Sequence, residues 1–385
     1  MFGGHLGVIA ARSELTLKFR VPEIFSEHNG KFLSSLTKRF VVASKSRVEN
    51  SLPYDSHIDR GSMTSKVLTR IVALTIPLLV ATLASIAQVP NAPAGRFHHS
   101  GVYDEARKLF LVYGGFIWDQ GTTKMVGDVW GWDGTRWQMI GDTGVPKIVA
   151  PLAFDSKRKR TLMFNCNGDS NASDGKLCSL NGSTWQVVRD VPHLAREDAS
   201  FAYDSKRDRL VLFGGRSSEV LFADTWEFDG SDWKATFMPG PSLRSAGAAV
   251  YDSARGVTVL YGGFRPLASL GDTWEWNGEQ WKLVSESGPG PRIWPGVAYD
   301  AKRKRTILFG GEDEKGQFYS DTWAWDGKVW TRIATEGPPA RIQFVMGYDS
   351  LRDRIVLFGG VNNKPQRILD DLWEFDGICW TQMRP

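Results

Sequence analysis

The stretch from Arg196 to Trp233 decides the fold, and it reads R-E-D-A-S-F-A-Y-D-S-K-R-D-R-L-V-L-F-G-G, a variable loop, then D-T-W-E-F-D-G-S-D-W. Versions of this unit fill the chain from about residue 95 onward. Aligned on an aromatic residue followed by Asp, six copies recur at intervals of 51, 49, 48, 48 and 49 residues. The aromatic residues are Tyr103, Phe154, Tyr203, Tyr251, Tyr299 and Tyr348. A period of about 40 to 50 residues is typical of propellers and solenoid arrays.

Each unit predicts four short strands. About six residues alternate as a strand before each aromatic residue, and Asp-x-x-Arg, as in Asp204 and Arg207, predicts a turn in which the carboxylate accepts backbone N–H groups. Residues 209–213 are apolar on both faces, which suits a second strand sandwiched between neighbouring sheets. In the third strand Trp226 and Phe228 share one face, and the following Asp-Gly predicts a tight hairpin to a fourth strand. Four antiparallel strands are the content of one propeller blade.

Composition divides the chain in two. Residues 1–87 contain no Trp and carry 11 Lys and Arg against 6 Asp and Glu. Residues 88–385 contain all sixteen Trp, with 36 basic against 37 acidic residues. This step indicates a domain boundary. A nearly neutral body without a basic stripe excludes nucleic-acid binding as a function class, because neutralising phosphates needs clustered Lys and Arg.

The N-terminal part has the pattern of an export signal. Residues 1–62 show no sustained period and are predicted to be an unstructured extension. Residues 63–87 combine a short basic segment, an apolar run over 71–84 and small residues at Ser85 and Ala87, as a signal peptide does. One interpretation is that Met63 is the true initiator and that residues 1–62 are upstream sequence.

Whether the signal segment is cleaved is a separate question. An uncleaved signal anchor is the alternative, since about 17 apolar residues are at the lower limit for spanning a bilayer. The short length, Pro77 and the small-residue site favour cleavage. Residues 88–95 are predicted to be a linker, and the protein is expected to be periplasmic or extracellular, with membrane contact only if the segment is retained.

The repeat resembles the kelch family. The resemblance rests on Arg96-Phe-His-His99 before a first strand, on Leu-Phe-Gly214-Gly215 ending a second strand, and on the spacing of Trp226 and Trp233. It covers residues 96–385 in six consecutive copies. It implies an all-β, six-bladed kelch-type β-propeller with four antiparallel strands per blade. The blades would start near residues 96, 147, 196, 244, 292 and 341.

The termini predict how the ring closes. The first copy begins at a first strand, and the last copy ends after a fourth strand at Trp380. We therefore expect each blade to be one continuous segment, although kelch propellers often close by sharing strands between the two termini.

Repetition helps to separate scaffold from binding site, because a natural ligand rarely has six-fold symmetry. The double glycines and most Trp residues occur in nearly every copy and are predicted to be structural. An Arg starts five of the six copies. Ion pairing between blades is the favoured interpretation of this Arg, and a basic ring at the pore mouth is the alternative. These five residues are Arg96, Arg196, Arg244, Arg292 and Arg341.

Positions that differ between copies are the candidates for ligand binding. In kelch binders, the residues just after Gly-Gly and those at the repeat start line the recognition face. Carried onto this chain, the first class is Phe116, Arg216, Phe264, Glu312 and Val361. The second class is His98, His99, Glu197, Asp198, Ser245, Trp294 and Gln343. If His98 and His99 were both on a strand, they would point to opposite faces.

Blade 2 departs from the pattern. Asn165-Cys166 stands where other copies have Gly-Gly, and Cys178 stands at the position of the third-strand Trp. In an exported protein this pair could form a disulfide closing a loop of about 13 residues. Two free thiols packed as small apolar residues are the alternative. Cys379 would stay unpaired, and the spacing is not that of a zinc site.

Catalytic motifs are scarce. No G-x-S-x-G, H-E-x-x-H or P-loop sequence occurs, and no cofactor or metal is expected. The ligand set of galactose oxidase, a copper enzyme with kelch-type repeats, cannot be matched residue by residue. An acid/base pair would have to come from pore carboxylates such as Glu197 and Glu312, with Arg216 or a repeat-start Arg binding a sugar carboxylate.

Two function classes follow from these observations. The favoured one is a monomeric, non-enzymatic binding module that presents a loop-built face to a protein or a glycan. The other is a sugar-active enzyme, for which the exported kelch mutarotase that acts on sialic acid is the nearest analogy. A copper oxidase is the least favoured.

Overall fold

A computed structural model describes residues 10–11, 14–15, 91–142, 150–166, 174–192, 195–217, 220–363 and 366–384. The chain divides into two units, Met1–Gln88 and Val89–Pro385. In the first unit the described residues form two short antiparallel strands, β1 (Ala10–Ala11) and β2 (Glu14–Leu15). The expected signal segment and the rest of the extension lie outside the described residues. Nowhere in the described ranges is there a helix with the length and apolar character needed to span a membrane.

The second unit is all-β, and its described residues form six antiparallel sheets of four strands, numbered here as blades 1 to 6. Blade 1 contains β4 (Ser100–Asp104), β5 (Leu109–Tyr113), β8 (Asp128–Trp132) and β9 (Trp137–Asp142). Blade 2 contains β10 (Leu152–Asp155), β11 (Arg160–Phe164), β12 (Asp174–Asn181) and β13 (Thr184–Pro192). Blade 3 contains β14 (Ser200–Asp204), β15 (Arg209–Phe213), β16 (Thr225–Phe228) and β17 (Trp233–Thr236).

The remaining blades repeat this layout. Blade 4 contains β18 (Ala248–Asp252), β19 (Val257–Arg265), β20 (Ala268–Trp276) and β21 (Trp281–Ser285). Blade 5 contains β22 (Gly296–Asp300), β23 (Arg305–Phe309), β24 (Thr322–Trp325) and β25 (Trp330–Ala334). Blade 6 contains β26 (Val345–Asp349), β27 (Arg354–Phe358), β30 (Leu372–Phe375) and β31 (Trp380–Met383).

Two small sheets lie in the loops of blades 1 and 6. One contains β3 (Arg96–Phe97), β6 (Phe116–Asp119) and β7 (Thr122–Met125). The other contains β28 (Val361–Asn363) and β29 (Gln366–Ile368). Apart from β3, which contains the repeat start of blade 1, their strands follow the double glycine of their blade, on the same face as the repeat starts. We call this face the loop face.

The six blades form a closed ring. Strand order within each blade follows chain order, so every blade is one continuous segment. The first strands of neighbouring blades pack side by side around the axis, and β26 of blade 6 packs in the same way on β4 of blade 1. The six-bladed propeller and the continuous blades predicted from the repeat are thus confirmed.

Burial follows the predicted pattern within the blade. In β15 the four residues from Leu210 to Phe213 are all buried, because this strand lies between two neighbouring sheets. The turn before it is closed by Asp204, whose Oδ1 accepts the backbone N–H of Arg207 at 3.0 Å. The Arg207 guanidinium donates back to Asp204 Oδ2 at 2.6 Å and to Glu227 at 3.0 Å. The predicted Asp-x-x-Arg turn is therefore present, and its Arg also reaches the third strand.

A repeated indole–carboxylate bond joins some neighbouring blades. At the seam between blades 3 and 4, Trp276 Nε1 donates to Glu227 Oε1 at 2.7 Å and Trp281 Nε1 donates to Thr225 at 2.8 Å. Two more seams have the same indole–carboxylate bond: Trp325 Nε1 donates to Glu275 Oε1 at 3.0 Å between blades 4 and 5, and Trp132 Nε1 donates to Glu374 Oε1 at 2.8 Å at the seam that closes the ring. These bonds satisfy N–H groups that would otherwise be buried without a partner.

At the other three seams, both the Glu and the Trp of this pair are replaced by other residues. Where the third strand has no Glu, the facing residue of the next blade has no side-chain N–H. These combinations are Gly131 with Leu180, Ser179 with Phe228, and Ala324 with Phe375. At these third-strand positions, indole and carboxylate therefore occur together or not at all, as expected when an unpaired buried polar group is costly. The fourth-strand Trp185 and Trp233 do not follow this rule, since their Nε1 atoms are buried without a partner.

Candidate functional site

The repeat-start arginines lie inside the blades. Arg244 is 1% exposed, and its Nη1 donates to Asp272 at 2.7 Å and to the Gly262 carbonyl at 3.0 Å. Asp272 lies in β20, the third strand of the same blade, so the predicted ion pair between blades is wrong. Although burial opposes it, hydrogen bonding to Arg244 lowers the pKa of Asp272. The same arrangement recurs at Arg96, Arg196, Arg292 and Arg341.

The backbone of the same Arg, rather than its side chain, joins neighbouring blades. Arg244 N donates to the Phe222 carbonyl at 3.0 Å, and Gly215 N donates to the Arg244 carbonyl at 2.8 Å. A Cβ on Gly214 would lie 2.5 Å from that carbonyl oxygen, and Gly214 has a φ of +63°. The double glycine is therefore required for the close approach of two blades. Being buried and paired, the repeat-start Arg cannot bind a ligand.

Two positions after this Arg, the backbone adopts a left-handed conformation in five blades. These residues are His98 (φ 51°), Asp198 (φ 51°), Ala246 (φ 56°), Trp294 (φ 51°) and Gln343 (φ 56°). Backbone bonds link them across blades: Ala246 N donates to Asp198 O at 2.9 Å, Trp294 N to Ala246 O at 2.9 Å, and His98 N to Gln343 O at 3.2 Å. A left-handed conformation is strained for residues other than Gly, and such strain is concentrated at functional sites.

Three blades contribute side chains to one cluster at this end of the axis. Its members, which we call the axial cluster, are His98, Glu197, Asp198, Arg216 and Trp294. The His98 and Trp294 rings meet edge to face with centroids 5.8 Å apart. Trp294 Nε1 lies 3.4 Å from Asp198 Oδ1, and Arg216 Nε donates to Asp198 Oδ2 at 2.9 Å. Arg216 also pairs with Glu197 at 3.4 Å.

The electrostatics of the axial cluster favour a neutral imidazole. Burial lowers the pKa of His98, the carboxylate of Asp198 opposes this shift, and Arg216 reinforces it. His98 is therefore uncharged at neutral pH, and two carboxylates face one guanidinium. The cluster presents a net negative charge, an indole and an imidazole, which together can bind polar groups that are neutral or cationic.

The axial cluster lies at the mouth of a channel of about 690 Å³ that runs along the axis. Asp198 and Trp294 line its end on the loop face. Residues of the six first strands form its wall, and Glu105 and Ser205 lie beyond the aromatic–Asp pairs at the far end. The channel volume falls within the range of small-molecule sites, about 300 to 1,000 Å³.

The other sequence candidates occupy different places. Phe116 stacks on Phe97 with centroids 5.4 Å apart and lies beside His98. Gln343 accepts the His98 N–H through its carbonyl. Phe264 is partly exposed in a bridge to Ser245. Glu312 is half-buried, and burial, together with the neighbouring Asp313, raises its pKa.

His99 is 5% exposed and lines the axial channel. Its buried ring lies at the closing seam, where Nε2 is 3.1 Å from the Phe358 carbonyl and Nδ1 has no partner. Burial and the nearby Arg96 lower the pKa of His99 to about 3. β3 ends at Phe97, so the two histidines are not on a strand, and His98 has a left-handed backbone. The His98 ring meets Trp294, whereas the His99 ring meets Phe358.

A second cavity on the loop face was not predicted from the sequence. A groove of about 860 Å³ lies between the small sheets of blades 1 and 6, and Phe318 of blade 5 also lines it. Its walls include Trp118, Asn362 and Arg367. A signal was present: the segments between the double glycine and the third strand are longest in these two blades among the five with Gly-Gly.

The cysteines of blade 2 form a disulfide. Cys166 and Cys178 are buried and bonded, with Cα atoms 5.9 Å apart. The bond ties the end of β11 to β12, next to Asn165, which takes the left-handed conformation of the missing glycine. Cys379 is free and exposed.

No group of three or more His, Cys, Asp or Glu side chains suited to a metal ion occurs within the described ranges. Comparison with known protein families gives no matching family, and no curated protein matches the chain.

Proposed function

We propose that the protein is an exported kelch-type propeller that acts as a binding module and takes a glycan or protein ligand over the axial cluster. The kelch assignment is supported by the repeated Gly-Gly and the spacing of Trp226 and Trp233 in consecutive copies. Export is supported by the signal pattern at residues 63–87 and by the Cys166–Cys178 disulfide, since such bonds persist in oxidising compartments.

One observation carries the proposed site. The left-handed positions share one backbone conformation, and three of them, Asp198, Ala246 and Trp294, line the same channel, yet the side chains differ from blade to blade. The scaffold therefore repeats while the surface does not, as an asymmetric ligand requires. The strain at His98, Asp198 and Trp294 is maintained where these side chains meet at the axis, and this supports a binding role.

The charges of the axial cluster limit which ligand groups it can bind. Arg216 is engaged by both Glu197 and Asp198, so it is not free to bind a carboxylate. The repeat-start arginines are buried. A ligand group at this site is therefore expected to be neutral or cationic, such as a sugar hydroxyl cluster or a basic side chain, rather than the carboxylate of an acidic sugar.

The proposal can be tested by screening the full chain, fluorescently labelled, on glycan and peptide arrays and measuring the hits by titration calorimetry. We expect Trp294→Ala and Asp198→Asn to weaken binding at least tenfold. Leu267→Ala is the matched control, since Leu267 is 99% exposed at the tip of the β19–β20 hairpin. Hits that bind both axial variants as tightly as the unmodified chain would refute the axial site.

A sugar-active enzyme is the second candidate, and the neutral His98 beside two carboxylates is the observation that favours it. An imidazole of this kind can take and return a proton during sugar ring opening. Exchange spectroscopy on neutral aldoses would detect faster interconversion of anomers with the full chain and its loss in His98→Ala. No acceleration over buffer would leave binding as the function.

A further inference from the structure

The groove of about 860 Å³ between blades 1 and 6, which we call the lateral groove, is built from two structural extensions of the repeat. The β6–β7 hairpin forms one wall and the β28–β29 hairpin the other. Blades 3 and 5 have only isolated bridges at the equivalent position, as between Arg216 and Leu221. These hairpins add nothing to the blade cores, so their conformation needs another explanation.

Trp118 at the rim of the groove is 63% exposed. By contrast, Trp132, Trp276 and Trp325 are fully buried, and Trp118 alone of the described Trp side chains is largely exposed. An indole offers a flat apolar face and one N–H donor, which suits a ligand with both an apolar and a polar side. The C–H face of a pyranose ring provides such a surface, with hydroxyl groups around its edge.

Some polar atoms of the groove have no protein partner among the described residues, although Asn363 Nδ2 donates to the Gly316 carbonyl at 3.0 Å. Asn362 Oδ1 is buried and has no hydrogen-bond partner. Buried acceptors of this kind are normally satisfied, so a donor from a ligand or from water is expected there. Arg367 also lines the groove, and no carboxylate lies within ion-pair distance of it among the described residues. Among the described residues, no Asp or Glu lines the groove.

We propose that the lateral groove binds an oligosaccharide chain, with one sugar ring stacked on Trp118 and hydroxyl groups bonded to Asn362 and Arg367. Arg367 can bind either paired hydroxyl groups or the carboxylate of a uronic acid. The volume is near the upper end of small-molecule sites, and so allows more than one sugar ring. This inference rests on the proposed binding role of the loop face but uses different residues.

The two sites share a wall. Phe97 lines the groove, and its ring lies 5.6 Å from that of His98 in the axial cluster. Their charges differ, because the axial cluster has excess carboxylate, whereas the Arg367 guanidinium of the groove has no ion-pair partner among the described residues. Because Phe97 lies beside both sites, a single glycan can contact both. Because the charges differ, each site is expected to prefer different ligand groups.

Titration calorimetry with the full chain tests the inference, using tetrasaccharides of glucose, N-acetylglucosamine and galacturonic acid, and hexaglutamate as a non-sugar anion. We expect at least one tetrasaccharide to bind, with affinity reduced at least tenfold in Trp118→Ala and Asn362→Leu. Arg367→Gln should weaken the galacturonate probe more than the neutral ones. Leu267→Ala, at a residue that is 99% exposed and outside both sites, is the control and should leave these affinities unchanged.

Other outcomes separate the two proposals. Sugar binding lost in Trp294→Ala but retained in Trp118→Ala would overturn the groove and support the axial site. Binding of hexaglutamate without any sugar would make the groove a site for acidic peptides and overturn the inference. No binding of any tetrasaccharide at millimolar concentration would also overturn it. Because Trp118 is exposed, loss of folding is not expected, and circular dichroism of the variant checks this.

Discussion

The bond that closes the ring allows a quantitative test of the seam rule. Glu374 is 7% exposed, and it accepts Trp132 Nε1 at 2.8 Å and Arg352 Nη1 at 3.0 Å. Glu374→Ala would leave the indole N–H buried without a partner, at a cost of about 1 to 3 kcal/mol. Arg352 keeps a second carboxylate, Asp349, at 2.7 Å, so its charge is not left unpaired.

Adding Trp132→Phe should recover part of the stability lost in Glu374→Ala. Trp132→Phe removes the donor, and the seam between blades 5 and 6 already combines Ala324 with Phe375 at the equivalent positions. The double variant should therefore be more stable than the sum of the single effects implies, by about 1 to 2 kcal/mol. Each single variant should unfold at lower denaturant concentration than the unmodified protein.

Equilibrium denaturation of the four proteins, followed by near-ultraviolet circular dichroism, measures this coupling. The same cycle at Trp276 and Glu227 is the matched control at an internal seam. Effects at Trp132 and Glu374 that add within about 0.5 kcal/mol would refute the argument that an orphaned indole N–H determines the cost. Coupling at the internal seam alone would indicate that the ring does not close through this bond in solution.

Two further predictions concern buried groups. His99 is charged below about pH 6.5 in the unfolded chain, but burial and Arg96 lower its folded pKa to about 3. The unfolded state therefore binds more protons between these values. The free energy of unfolding should decrease as the pH is lowered from about 6.5 to about 3, by up to about 4 kcal/mol, and it should decrease less steeply in His99→Ala. A parallel fall in both proteins would contradict this, as measured by urea midpoints at several pH values. Replacing Cys166 and Cys178 by Ala should lower the free energy of unfolding by about 3 kcal/mol, and an unchanged midpoint would contradict it.

The blade architecture was predictable because its determinants are local and repeated. Strand alternation, the Asp204 turn and the apolar second strand each depend on residues close in sequence, and six copies make the period unambiguous. Even the seam rule is present in the sequence as paired replacements, such as Ala324 with Phe375, although the contact itself is visible only once the blades are placed side by side.

The sites depend on contacts that are distant in the chain. His98, Asp198 and Trp294 are about 100 residues apart, and only ring closure brings them to one channel mouth. The sequence could nominate them as variable positions but could not separate them from His99, one residue away, because the His99 ring meets Phe358 only in the folded chain. The lateral groove was missed for a similar reason, since its walls belong to the first and last blades.

By itself, then, the sequence determined the number of blades, their strand order and the residues that repeat as scaffold, because regular strands and tight turns arise from local patterns. The tertiary structure decided which side chains meet. It placed the repeat-start Arg inside its own blade rather than between blades, since Asp272 and its counterparts lie within reach only after the sheet forms. It also set which variable positions meet at the channel mouth, because that depends on how six similar units are arranged around one axis.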